Sequence, residues 1–261
     1  MPFVTEFVCR VGGRDHNEDY CGSLEVGNAV CWVVADGLGG HRGGQTASRT
    51  AVEAVLASFR DDPQLSTVAL QRHLEAAQHA VGKAQAEQPS LSTMRTTIVV
   101  LITDSNLVLW AHVGDSRLYC MKNGGIVFRT SDHSVAQMMV DAGDLSLDQI
   151  RHHEDRNRLL RCLGNPDGDF RPTILPEPQT LYRRSSFLLC TDGFWENVTE
   201  AEMEVDLAKA EVPRDWLTLM EDRLLERATE NDDNYTAMAV IFNSEAASMP
   251  RTAKPRGGPG D

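Results

Sequence analysis

No apolar stretch of this sequence approaches the roughly 20 consecutive residues that a bilayer-crossing helix needs, so no membrane span is expected. The first residues, Met1 to Glu6, hold neither the basic segment nor the apolar stretch of a secretory leader, and none is expected. Basic charge is scarce as well: 25 Lys and Arg stand against 38 Asp and Glu, a formal net charge of −13. Such a surface repels polyanions unless its cations gather on one face, so nucleic acid and anionic membranes are not expected partners. Cysteine pairs of C-x-x-C spacing are absent. The six thiols, at positions 9, 21, 31, 120, 162 and 190, are scattered and mostly sit in apolar runs, where a thiol behaves as a small core residue. This reads as a reducing, cytoplasmic setting without a zinc site. What the chain does have is 41% apolar and 24% charged residues, the balance of a globular protein with a sizeable core.

Short apolar runs rich in β-branched residues predict strands over Ala29 to Ala35, Thr97 to Thr103, Leu107 to Val113, Gly125 to Phe128, Ser186 to Thr191 and Tyr235 to Phe242. Several are apolar at consecutive positions, as in Val30-Cys31-Trp32-Val33-Val34, which suits strands covered on both faces. Helical periodicity runs from Gly44 to Phe59, from Leu65 to Ala86 and from Arg214 to Thr229. Helices do not follow every strand, which favours an α+β arrangement over a regular βαβ one. One domain is expected over residues 1–245, and residues 246–261, rich in proline and glycine, are expected to form a disordered tail.

The chemistry gathers where strands end. Asp36-Gly37 and Asp192-Gly193 each close an apolar run. Either alone reads as an Asp-Gly turn. The run of glycines from Gly37 to Gly44, leading into a helix, instead reads as backbone opened for close approach to a ligand. Asp115 follows another strand, Asp233 precedes the last one, and Arg14, Glu18 and Asp19 cluster near the N-terminus. Brought together, these acids would repel one another and require hard divalent cations, Mg²⁺ or Mn²⁺.

In order and spelling, these groups resemble the metal-dependent Ser/Thr protein phosphatases of the PP2C (PPM) family, bacterial branch. The matching motifs are R-x-x-N-E-D at Arg14 to Asp19, D-G-x-G-G-H at Asp36 to His41, G-D-S-R at Gly114 to Arg117, D-H-S at Asp132 to Ser134, T-D-G at Thr191 to Gly193 and D-N-x-T at Asp233 to Thr236. The resemblance implies a four-layer α-β-β-α sandwich of two antiparallel sheets, with two metal ions in a cleft at one end and room for a third. It further implies that Asp36 bridges the two ions, and that the Gly37 carbonyl, Glu18, Asp192 and Asp233 complete their shells. Asp115 with Asp192 would hold the third ion, Arg14 would clamp the substrate phosphate, and Asp19 and Asn234 would support the ligands. The expected reaction is attack of a metal-bridging water on phosphoserine or phosphothreonine, without a phosphoenzyme. Expected partners are phosphorylated proteins, with a cognate bacterial Ser/Thr kinase and its substrates among them, and the chain is expected to act as a monomer.

Two competing readings are weaker. A pseudophosphatase should have lost a ligand acid, and all five are present; phosphatases of the partner-switching type generally lack the N-terminal arginine motif. The segment from Asp132 to Gly164 resembles the family's flap, where His152 and His153 read as surface residues rather than ligands. One departure stands out. Eukaryotic relatives carry a proton-donating histidine where this chain has Leu38, so a water on the third ion near Asp115 is expected to protonate the leaving oxygen, with His41 supporting its loop.

Overall fold

A computed structural model describes residues 3–39, 42–165, 170–182, 184–229 and 232–242. In chain order the first strands are β1 (Phe3–Arg10), β2 (Asp19–Val26), β3 (Ala29–Leu38), β4 (Arg95–Thr96), β5 (Ile98–Thr103) and β6 (Leu107–Val113). They are followed by β7 (Arg117–Lys122), β8 (Gly125–Arg129), β9 (Thr173–Ile174), β10 (Gln179–Thr180), β11 (Ser185–Cys190) and β12 (Tyr235–Phe242). The helices are α1 (Arg42–Asp61), α2 (Thr67–Glu87), α3 (Val135–Ala142), α4 (Asp192–Trp195), α5 (Glu200–Lys209) and α6 (Pro213–Arg227).

The strands form two antiparallel sheets. One has the order β1-β12-β11-β7-β8; the other runs β10-β6-β5-β3-β2, with β4 paired to the end of β3 and β9 beside β6. The period of two along each strand sorts its side chains between layers. On β3, Val30, Trp32 and Val34 point into the space between the sheets, while Cys31, Val33 and Ala35 face α1 and α2. On β11, Phe187 and Leu189 face the other sheet, and Leu188 and Cys190 face the layer of α4, α5 and α6. Three apolar layers result: α1 and α2 on the second sheet, sheet on sheet, and α5 and α6 on the first. This is the expected four-layer α-β-β-α sandwich.

Each predicted strand and helix exists, with ends that moved for local reasons. The helix read from Leu65 starts at Thr67, because the Ser66 hydroxyl accepts from the Ala69 N–H and caps it. The strand read to Ala35 continues to Leu38, since Gly37 and Leu38 pair with Thr96 and Arg95. The proposed tail at 246–261, and His41, lie outside the described residues. Among the described residues no helix is long and apolar enough to cross a membrane.

Candidate active site

At one end of the sandwich the stripe between the sheets turns from apolar to polar. On β3 the inward series Val30, Trp32, Val34 is continued by Asp36; on β11 Leu189 is followed by Thr191; on β12 Met238 is preceded by Thr236 and Asn234. Here a cleft of about 1260 Å³ opens, lined by Arg14, Glu18, Asp36, Asp115, Asp192, Asp233 and Asn234, among others. The sequence-predicted acids, spread over some 200 positions, therefore meet in one place.

Neither Asp-Gly pair is a turn. Asp36 sits within β3, its N–H donating to Thr97 Oγ1 (3.0 Å) and its carbonyl accepting from Thr96 Oγ1 (2.7 Å). Gly37 is required by closeness: a Cβ there would lie 2.1 Å from the Gly44 carbonyl oxygen and 2.6 Å from that of Glu18. The first turn of α1 is thereby laid against the end of β3. Asp192-Gly193 opens α4, where a Cβ on Gly193 would lie 2.1 Å from the Asn234 carbonyl oxygen.

Hydrogen bonds fix the loops that carry the other acids. Asn234 accepts from the Glu18 N–H at 2.7 Å and donates to the carbonyls of Val11 (2.7 Å) and His16 (3.0 Å), binding the N-terminal loop to β12. Asp19 is buried at the start of β2, where its Oδ2 accepts from Thr191 Oγ1 at 2.9 Å. The Asp115 carbonyl accepts from the Trp195 indole at 3.0 Å, with the Asp115 side chain buried. Arg14 does not stand apart from the acids: its Nη2 pairs with Asp233 Oδ2 at 2.9 Å, both side chains being about half exposed.

Electrostatically the cluster is costly. Asp19 and Asp36 are direct cross-strand partners, and like charges so placed repel. Burial, and then the neighbouring acids Asp192, Asp19, Asp115 and Asp233, raise the Asp36 carboxyl well above its ordinary range. Burial followed by Asp192 and Asp132 does the same to Asp115. Asp192 is pushed up to about 7 by burial and by Glu196 and Asp233. Glu18 is raised by burial and by Asp233. Buried Glu18 Oε1 and Asp19 Oδ1 have no hydrogen-bond partner within the protein. Among the described residues no three His, Cys, Asp or Glu side chains are drawn to a single point. The fit to a cation lies instead in the donor chemistry: mutually repelling carboxylates, two orphaned buried oxygens and no nitrogen or sulfur among the acids named suit a hard divalent ion.

Other motif residues build the frame. Arg117 and Asp132 form a buried two-pronged ion pair (2.8 and 2.7 Å), with the guanidinium stacked 3.4 Å from the centre of the Trp195 ring. His133 stacks on His112 (4.5 Å) and accepts from the Gly114 N–H at 3.2 Å, which holds the loop bearing Asp115. Ser134 caps α3. His152 and His153 do not line the cleft. Asn157 and Leu159 come from the segment that resembles the flap, and the walls also include residues that sequence reasoning missed: Gln88, Ser90 and Leu91 after α2. These carry no motif, because only the tertiary fold brings them to the cleft.

Two antiparallel sheets between helical layers, with an acid-lined cleft at one end, define the class of metal-dependent protein serine/threonine phosphatases. The sequence profile of the protein phosphatase 2C family matches residues 11–231, and the chain belongs to that family. It is 32% identical over 238 residues to the serine/threonine phosphatase stp of Listeria welshimeri, spanning 88% of this chain and 92% of that one. The crystal structure of the Mycobacterium tuberculosis serine/threonine phosphatase PstP/Ppp is similar at a TM-score of 0.80 and 25% identity, covering 92% of this chain and 99% of that one. The catalytic domain of PstP in complex with 2 manganese ions is similar at a TM-score of 0.75 and 26% identity, covering 92% and 98%.

Proposed function

We propose that this phosphatase hydrolyses phosphoserine and phosphothreonine in proteins with two Mn²⁺ or Mg²⁺ ions held by Asp36, the Gly37 carbonyl, Glu18, Asp192 and Asp233. Asp115 and Asp192 would hold a third. The observation that carries this reading is the buried acid cluster built on the opposed pair Asp19 and Asp36, which is unfavourable unless positive charge is supplied. When bound, such ions lower the pKa of a coordinated water and neutralise phosphate oxygens.

The chain's own residues do the rest. Arg14, at the rim of the cleft, offers a planar fork to two phosphate oxygens. Its exposed pair with Asp233 is worth about 1 kcal/mol or less, so the guanidinium stays beside the acids without being committed to one of them. Asn234 holds the Glu18 loop, and Thr191 holds Asp19, so the acids keep their places as charge changes. Leu38, half-buried at the end of β3, offers no proton for the leaving serine or threonine oxygen. Acting as a monomer in the cytoplasm on the substrates of a cognate Ser/Thr kinase is consistent with the acidic charge and the free thiols.

The test is turnover of a phosphothreonine peptide and of an aryl phosphate with and without Mn²⁺. Both should require the metal, and Asp36→Asn should abolish both while its circular dichroism stays that of the wild type. Near wild-type turnover by Asp36→Asn at saturating Mn²⁺ would refute the assignment.

A further inference from the structure

Two of the six cysteines differ from the rest: Cys31, Cys120, Cys162 and Cys190 are buried, whereas Cys9 and Cys21 are only partly so. Cys9 lies on β1, the edge strand of one sheet, and Cys21 lies on β2, the edge strand of the other. The odd-numbered positions of both strands turn towards the space between the sheets. Phe3 stacks on Trp32, Thr5 accepts from the Trp32 indole, and Cys21 packs against the inter-sheet core. The two thiols therefore face the same rim of the sandwich, and Cys9 Sγ lies 4.0 Å from the carbonyl oxygen of Asp19, two residues before Cys21. This rim adjoins the acids. The Asn17 side-chain amide donates to Cys9 Sγ at 3.2 Å, and its oxygen accepts from the Asp19 N–H at 3.0 Å, so one side chain links the thiol to the strand that carries Asp19.

We propose that Cys9 and Cys21 form a peroxide-sensitive pair that closes into a reversible disulfide between the two sheet edges and so releases Asn17 from its hold on Asp19. The neighbouring Cys21 thiol, with help from Thr236, Asn17 and Arg10, lowers Cys9 to about 6 and favours its thiolate at neutral pH, while Cys21 is raised and stays protonated. The chemistry takes two steps. The Cys9 sulfur attacks one oxygen of hydrogen peroxide, the O–O bond breaks, and hydroxide leaves to become water, giving a sulfenic acid. The Cys21 sulfur then attacks the Cys9 sulfur, an S–S bond forms, and the sulfenic hydroxyl leaves as water with the Cys21 proton. Two thiols are oxidised by two electrons in all, and one peroxide is reduced to two waters. The remaining four thiols are buried, Cys31, Cys190 and Cys120 each in a different apolar layer, and have no such access to oxidant.

The effect on turnover rests on the reading of the acid cluster given above, whereas the bond itself does not. The full chain is treated with hydrogen peroxide, free thiols are alkylated, and disulfides are mapped by peptide mass spectrometry while Mn²⁺-dependent aryl phosphate turnover is followed. The expected result is a Cys9–Cys21 cross-linked peptide and a several-fold loss of turnover that dithiothreitol restores. Cys21→Ser should instead give Cys9 oxidised to sulfinic acid, with no recovery. Cysteines 9 and 21 that remain alkylatable after treatment would overturn the pair. A cross-link with unchanged turnover would overturn its coupling to Asp19. A protein without Mn²⁺-dependent turnover before oxidation would overturn the reading of the acid cluster, and the mass spectrum would still decide the pair.

Discussion

Asp36 and Arg14 line the same cleft with opposite charges. Asp36 ends the inward stripe of β3, where the same alternation that buries Trp32 and Val34 forces a carboxylate in among Asp19 and Asp192. Arg14 stands at the rim as the basic partner of Asp233. Its replacement by alanine would remove a charged hydrogen-bonding group from its proposed role at phosphate while leaving the acids in place. kcat/KM should fall by about 2–3 kcal/mol, or roughly 30- to 150-fold, with Mn²⁺ affinity little changed. Steady-state kinetics beside calorimetric Mn²⁺ titration checks this, and lost metal binding would make Arg14 a structural residue. The acids and Arg14 were legible in the sequence because each is spelled in a short motif beside a strand end. Asn17, Thr191, Arg117 and Asp132 are spelled in the same motifs, but their partners are not: Thr191 reaches Asp19 across 172 positions, and that Arg117 and Asp132 pair in the interior is set by the fold of β7 and the segment after β8.

Among the elements, legibility followed unbroken apolar runs rather than burial: β8, read from Ile126-Val127-Phe128, is largely exposed. β3, β5, β6, β11 and β12 are apolar on both faces and could be read directly. β1, β2 and β7 could not. β1 and β2 are edge strands with exposed polar positions and a glycine at 22, and β7 carries the buried Arg117, whose charge hides the strand. Helix α5 was missed because half its residues are acidic or basic and only Met203 and Asp206 are buried. Glycine separates two uses in the same way. Gly37→Ala drives a Cβ into two carbonyl oxygens and should cost at least the about 1–3 kcal/mol of an overpacked site, parting α1 from β3. Gly82→Ala, in the body of α2 with nothing within 4 Å of the new Cβ, should stabilise by roughly 0.5–1 kcal/mol. Thermal melts of the two variants should therefore shift in opposite directions; two downward shifts would contradict this assignment of helix and strand.

For the molecule as a whole, the acid cluster makes stability depend on pH and metal together. Asp36, Asp115 and Asp192 have carboxyls raised above their unfolded values, Asp192 to about 7. A group shifted upwards stabilises the fold below its unfolded pKa of about 4, and that stability is lost as pH rises through the folded value. Chelator-treated protein should accordingly melt at lower temperature as pH climbs from the carboxylate range through neutrality. Saturating Mn²⁺ favours the ionised acids and should flatten or reverse the trend, which differential scanning calorimetry can follow; a chelated protein that gains stability over that range would show the acids are not under strain.

In the proposed reading Asp36 would hold two ions at once. Electron paramagnetic resonance of the Mn²⁺-loaded protein reads this out, because two manganese ions sharing a bridge are magnetically coupled. A coupled signal that appears as the second ion binds, and is lost in Asp36→Asn, is the expected result. Signals of isolated Mn²⁺ alone at saturation would contradict it.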